Sequence, residues 1–324
     1  MAFVAQGARG GHHLFRHGGK QAVAERRRVE AGQIGIHIYN LAPVHDMRNA
    51  FRCPGHRLGA AEANPLPEAE TMPETMIGIL PLGDIAEVAP GDDLADILAR
   101  PLAALTPRDG DVLAVTQKIV SKAEGRFVDL RDVTPGPKAL ELARAADKDP
   151  RLVELVLAES TEIVRVKPGI LITRHRLGLV MANAGIDASN IGGGRADHVL
   201  LLPEDPDASA MRLREKLGAR FGVQMGVVIT DSFGRPWRNG VVNVAIGSAG
   251  FPALYDKRGL KDRDGRVLRV TQIAYGDLIA SATGLVMGEA EEGIPAALVR
   301  GCTMPDMDIP ARALVRNLDE DLFR

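Results

Sequence analysis

Apolar periodicity is weak through residues 1–75 and becomes regular from Met76 onward. Ile77-Gly78-Ile79-Leu80-Pro81-Leu82 is an apolar run of strand length. Pro90-Gly91-Asp92-Asp93 then opens a helix, with acids ahead of Leu94, Ile97, Leu98 and Leu102 at helical spacing. Asp109-Gly110-Asp111 turns the chain into the strand Val112-Leu113-Ala114-Val115. The pattern predicts helices over 139–146 and 151–158, parted by Asp149-Pro150. It predicts strands over 161–166, 170–173 and 177–181, an amphipathic helix over 208–221, and a late strand over 296–300. Consecutive strands near 163, 171 and 179 predict antiparallel pairs, so the expected class is α+β (mixed α/β) rather than a doubly wound sheet.

Two of these apolar runs end in the same way. Leu177-Gly178-Leu179-Val180-Met181 runs into Asn183-Ala184-Gly185-Ile186-Asp187-Ala188-Ser189-Asn190, and Val227-Val228-Ile229 runs into Thr230-Asp231-Ser232-Phe233-Gly234-Arg235. Each strand stops on a carboxylate with a hydroxyl nearby, oxygen donors that suit a hard cation or a phosphate–metal complex. Alone, either is a well hydrogen-bonded turn; two in one chain predict two walls of one site. Arg235 and Arg238 follow directly, with forked donors that match carboxylate or phosphate. Between them sits Trp237, the chain's one Trp, expected to pack.

Ser121-Lys122-Ala123-Glu124-Gly125-Arg126 reads as a surface turn whose Lys122 can meet a phosphate as a point charge, without the spacing of a Walker A loop. Gly284 to Gly293 is an acidic, glycine-flanked turn at a helix end, where Glu289 is either a third metal ligand or a solvated acid. Gly192-Gly193-Gly194 reads as a flexible loop tip, and His175 and His198 as structural histidines.

Composition narrows the field. The 324 residues are 45% hydrophobic and 25% charged with a net charge of -2, a globular balance without the basic footprint of a nucleic-acid binder. No apolar run reaches membrane-spanning length and no secretory signal opens the chain, so the cytoplasm is the expected compartment. Cys53 and Cys302 are too few and too far apart for a disulfide framework. Residues 1–75 hold six of the eight histidines and read as a poorly ordered extension or a mis-called start, leaving 76–324 as the folded domain.

Taken in order, the stretches 121–126, 183–190 and 229–235 resemble the coenzyme F-420-0: L-glutamate ligase family, GTP-dependent enzymes that add a γ-linked glutamate tail to a deazaflavin coenzyme. The resemblance runs from about residue 76 to about residue 301. It implies a mixed α/β fold, an intertwined homodimer, and ligation through an acyl phosphate with release of GDP and phosphate. Carried over by motif, Asp187, Asp231, Ser232 and Glu289 hold Mg²⁺ or Mn²⁺, with K⁺ as a further ion. Lys122 and Asn190 contact GTP, Gln117 stands where some relatives have a serine facing GTP, and Met287, Gly288 and Glu289 lie along the nucleotide. Catalytic roles for Arg235 and Arg238 are read from their charge and not from the resemblance. Gly83-Asp84-Ile85-Ala86 departs from a Gly-Leu-Pro-like GTP loop, and the flavin-reductase-like domain that many bacterial relatives carry is not expected within these 324 residues. Two other readings stand beside this one: a ligase of the same fold acting on a pterin- or folate-like acceptor, and a non-catalytic nucleotide–metal sensor.

Overall fold

A computed structural model describes residues 76–192 and 197–321, with the backbone of one strand at Ile36–Ile38; the other residues of 1–75 lie outside the described ones, and with them the expectation made for that segment. In chain order the elements are β1 (Ile36–Ile38), β2 (Ile77–Pro81), α1 (Leu94–Ala104), β3 (Val112–Thr116) and α2 (Gln117–Ala123). There follow β4 (Phe127–Asp129), α3 (Pro137–Ala146), α4 (Pro150–Ala158), β5 (Ser160–Lys167), β6 (Ile170–His175), β7 (Val180–Ala182) and β8 (His198–Leu200). The chain closes with α5 (Pro206–Phe221), β9 (Gly226–Arg235), β10 (Arg238–Ala249), β11 (Tyr255–Asp256), β12 (Gln272–Ile273), α6 (Tyr275–Met287) and β13 (Ala296–Arg300).

The main sheet runs β1-β2-β13-β3-β9-β10. Its central strands are apolar on both sides because both faces are covered. Leu113, Val115, Val227, Ile229 and Leu298 point into a core shared with α1 and α5. Val112, Ala114, Val228, Ala297 and Val299 point into the opposite core, under α6. The alternation of side chains along each strand supplies both cores from the same five-residue runs.

A smaller lobe is built from α3, α4 and the antiparallel sheet β5-β6-β7 around Leu171, Val153, Val156 and Ala184. This is the antiparallel run that the sequence pattern predicts, and α+β describes the whole. The helix starts also follow the sequence: Asp93 accepts from the Ala95 amide and Asp149 from the Arg151 amide, each capping the first turn.

Strand direction decides where chemistry can gather. β3 and β9 are parallel, with Thr116 opposite Thr230. β13 is antiparallel to both β2 and β3, so its first residues lie at the edge where those strands end. Leu82 donates its amide to the Ala296 carbonyl and Thr116 to that of Pro295. The loop after β2, the start of α2, Asp231 and the loop after α6 therefore meet along one edge of the sheet, as ligand-binding loops do in open parallel sheets. β9 itself does not stop at Asp231 as the sequence suggests but runs on to Arg235, because β10 keeps pairing with it after β3 has ended.

Candidate functional site

A cleft of about 470 Å³ opens at that edge. One wall is α2. The reading of residues 121–126 as a surface turn is corrected here: β3 passes straight into a helix in which Gln117, Ser121 and Lys122 are buried. Its reason is local, since the Ser121 hydroxyl donates to Gln117 Oε1 one turn back at 2.9 Å. The same spacing sets Lys118 and Lys122 along one side, and both line the cleft.

Asp187 reaches this wall from the small lobe. Ahead of it, Asn183, Ala184 and Gly185 all take positive φ (49°, 52° and 68°), a left-handed turn in which two of the three residues carry a Cβ. At Gly185 a side chain would be strained by the positive φ and would push Met181 Cε, 2.7 Å from an added Cβ, out of its place. Asp187 then exchanges both backbone hydrogen bonds with Leu200, the last residue of β8. Gln117 Nε2 donates to Asp187 Oδ2 at 2.7 Å, and Lys118 Nζ stands 3.7 Å from Oδ1. Burial raises the Asp187 carboxyl above its ordinary value, while Lys118 and Gln117 oppose the shift.

Asp231 and Ser232 extend from β9 into the cleft beside Asn243 of β10, which is in register with Ser232. The Ser232 hydroxyl donates to Glu289 and lies 3.2 Å from Asn243 Oδ1. Burial, and next to it the charge of Asp187, pushes the Asp231 carboxyl up to about 7; Glu289 adds to the rise. A carboxyl that burial and an acidic neighbour hold back from ionising, as at Asp231, is one that a cation would keep in its charged form.

The remaining predicted residues fall around the rim. Lys122 Nζ pairs with Glu87 at 2.5 Å, and Asn190 Nδ2 donates to the Ala290 carbonyl at 3.2 Å. Met287 and Gly288 line the cleft where α6 ends, and Gly288 at φ 71° leaves room for Glu292 to fold back onto the Ala290 amide. In the loop after β2, Ile85 and Ala86 line the cleft and Asp84 does not. Gly192, read as part of a free loop tip, is instead a wall residue; residues 193–196 lie outside the described ones.

Gln117, Lys122, Asn190, Asp231, Ser232, Met287, Gly288 and Glu289 thus share one cleft, with Asp187 joined to it through Gln117 and Lys118. Arg235 and Arg238 do not join them. They stand at the far end of the β9–β10 hairpin, where Arg235 donates to the Asn239 carbonyl. Trp237, expected to pack, is 81% exposed at the hairpin tip, because the two-strand ribbon has left both cores by that point. Sequence reasoning missed Lys118, Glu87 and Asn243; a helical reading of 117–123 would have found the first.

Among the described residues no group of three or more His, Cys, Asp and Glu forms a ready metal cage. The donors fit a smaller demand: two carboxylates and a hydroxyl suit Mg²⁺ or Mn²⁺ that keeps water and phosphate oxygens as its other ligands. His175 is buried away from the cleft, its Nδ1 accepting from the Leu177 amide and its Nε2 meeting Glu159 at 3.2 Å, which bears out its structural reading.

Fold and cleft together define an α+β protein with acidic oxygen donors and lysines converging at the ends of parallel strands. A family profile described as F420-0:Gamma-glutamyl ligase matches residues 83–301, and the chain belongs to that family. It is 49% identical over 243 residues to the coenzyme F420:L-glutamate ligase of Methanopyrus kandleri, covering 74% of this chain and 94% of that one. The ligase of the same name from Halobacterium salinarum is 45% identical over 246 residues, covering 74% and 92%. That of Methanocaldococcus jannaschii is 42% identical over 216 residues, covering 67% and 85%.

Proposed function

We propose that this chain joins L-glutamate to coenzyme F-420-0 through a γ-linked amide, using GTP and Mg²⁺ or Mn²⁺. The observation that carries the reading is the convergence of Asp231, Ser232, Glu289, Lys118 and Lys122 on one cleft in a chain of this ligase family. A carboxylate oxygen of the acceptor attacks the γ-phosphorus of GTP, the bond to the β-phosphate oxygen breaks, and GDP leaves. The glutamate amine then attacks the acyl carbon of the resulting acyl phosphate, phosphate leaves with the bonding pair, and the nitrogen gives up a proton.

The chain's task is to hold two anions together that repel in water. Asp187, Asp231 and Ser232 would hold the cation, which supplies charge neutralisation between the phosphates and the incoming carboxylate. Gln117 and Lys118 fix the Asp187 carboxylate; Lys122 and Asn190 would bind the phosphate chain. A homodimer belongs to the same reading, supported by the exposed Trp237 and Val241 on the β9–β10 hairpin. Arg235 and Arg238 sit on that hairpin, so any part they take in catalysis is proposed through a second chain.

The test is mass spectrometry of F-420-0 incubated with the purified protein, L-glutamate, GTP and Mn²⁺ or Mg²⁺. Mass gain in whole glutamyl units, dependent on GTP and metal, is the expected result. Nucleotide and metal binding with an unmodified acceptor would overturn the substrate and leave a same-fold ligase for another acceptor, such as a pterin.

A further inference from the structure

Lys122 is engaged before any ligand arrives. Its ammonium is buried, at 5% exposure, and meets the Glu87 carboxylate. Glu87 comes from the loop between β2 and α1, and 71% of its side chain is in solvent although its end turns back into the cleft. The loop is pinned by Val88, which is buried, and by Gly91, whose amide donates to the Ala123 carbonyl at the end of α2. Gly192 closes the contact from a third direction. A Cβ there would fall 2.5 Å from Glu87 Oε1 and 3.5 Å from Lys122 Nζ, at a φ of 82°. The carboxylate thus occupies the place at which an anionic ligand would meet the lysine.

We infer that Glu87 is an internal competitor that reserves Lys122 for phosphate and denies it to carboxylates. The inference rests on the proposed function, in which the nucleotide brings a chain of phosphates and both other substrates bring carboxylates. A lone buried ammonium would draw glutamate or the acceptor into the nucleotide's place. With Glu87 tethered beside it, an intruding carboxylate only exchanges like for like, and it competes against a group held at an effective concentration in the millimolar range. A phosphate chain carries more charge and more acceptor oxygens, so it gains by the exchange. The displaced Glu87 returns to solvent, where most of its side chain already lies, so its release costs little.

The test is calorimetric titration of GDP into the wild-type protein and into Glu87→Gln, in excess L-glutamate or in potassium chloride of equal ionic strength. Wild-type affinity for GDP is expected to be the same in both media. Glu87→Gln is expected to bind GDP roughly fivefold tighter in chloride, the upper range for a partly exposed ion pair, and to lose that gain in glutamate. Weaker or unchanged GDP binding by Glu87→Gln in chloride, or no glutamate effect on the variant, would overturn the inference and leave the proposed function standing. A wild-type protein that binds no GDP in either medium would overturn both. Glu87 is exposed, so a melting curve close to wild type is expected and shows that the variant is folded.

Discussion

Asp231 is charged only at a cost to the fold. Its carboxyl is pushed up to about 7 by burial and by its acidic neighbours, so the charged form is disfavoured in the folded protein. Asp231→Asn keeps the shape and removes the charge. Turnover should fall by roughly 10²–10³ or more, while the thermal midpoint in metal-free buffer should be equal to or above wild type; a large loss of midpoint would make Asp231 a structural residue. Glu159 is the opposite case. The His175 hydrogen bond, then Arg176 and Arg126, hold its carboxyl down to about 2 from an ordinary 4.5. A depressed carboxyl contributes stability that is present above about 4.5 and is lost as pH falls toward about 2. Glu159→Gln should therefore lower unfolding free energy by about 1–3 kcal/mol at neutral pH, and denaturant titrations should show that gap narrowing through the same acidic window. Both cleft carboxylates are legible in the sequence because an apolar run stops abruptly on each. Lys118 is not, because apolar β3 runs into α2 with no capping side chain to mark the change: Thr116 makes no cap bond.

The β9–β10 hairpin shows what patterning can and cannot convey about an element. Its buried half, Val227 to Ile229 against Ala245 and Ala249, alternates with the two cores and is read easily. Its outer end keeps strand geometry beyond both cores, so Val241 is exposed and so is Trp237, where sequence alone expects packing. Charging this tip with Trp237→Glu and Val241→Glu should leave circular dichroism and melting of the chain almost unchanged, since neither side chain joins a core. For the proposed dimer, the same pair should shift the sedimentation coefficient to that of a monomer. A variant that stays dimeric would move the interface elsewhere. The small lobe was more legible, since β5, β6 and β7 follow one another and need only short turns, such as Gly169 at φ 79°, to pair.

At the scale of the molecule, every cleft residue lies beyond residue 84, and the one described element before residue 76 is β1, three residues paired in parallel with β2. Removing residues 1–75 should leave turnover intact and lower stability by no more than about 2 kcal/mol, the worth of a few edge hydrogen bonds; loss of turnover would show that this segment reaches the cleft. Long-range order is what the sequence conceals. Gln117 finds Asp187 and Ser232 finds Glu289 across most of a lobe each, and only the sheet order brings those pairs together. The last strand of that sheet has a consequence for how the protein is born. β13 is buried along its whole length and lies between β2 and β3, yet the ribosome delivers it long after both. Until it arrives, the nascent chain holds two apolar strands with a gap between them, unable to finish either core and open to pairing with strangers. Completion of both cores therefore waits on translation of β13, and a message interrupted before it should yield a client for chaperones rather than a weak ligase.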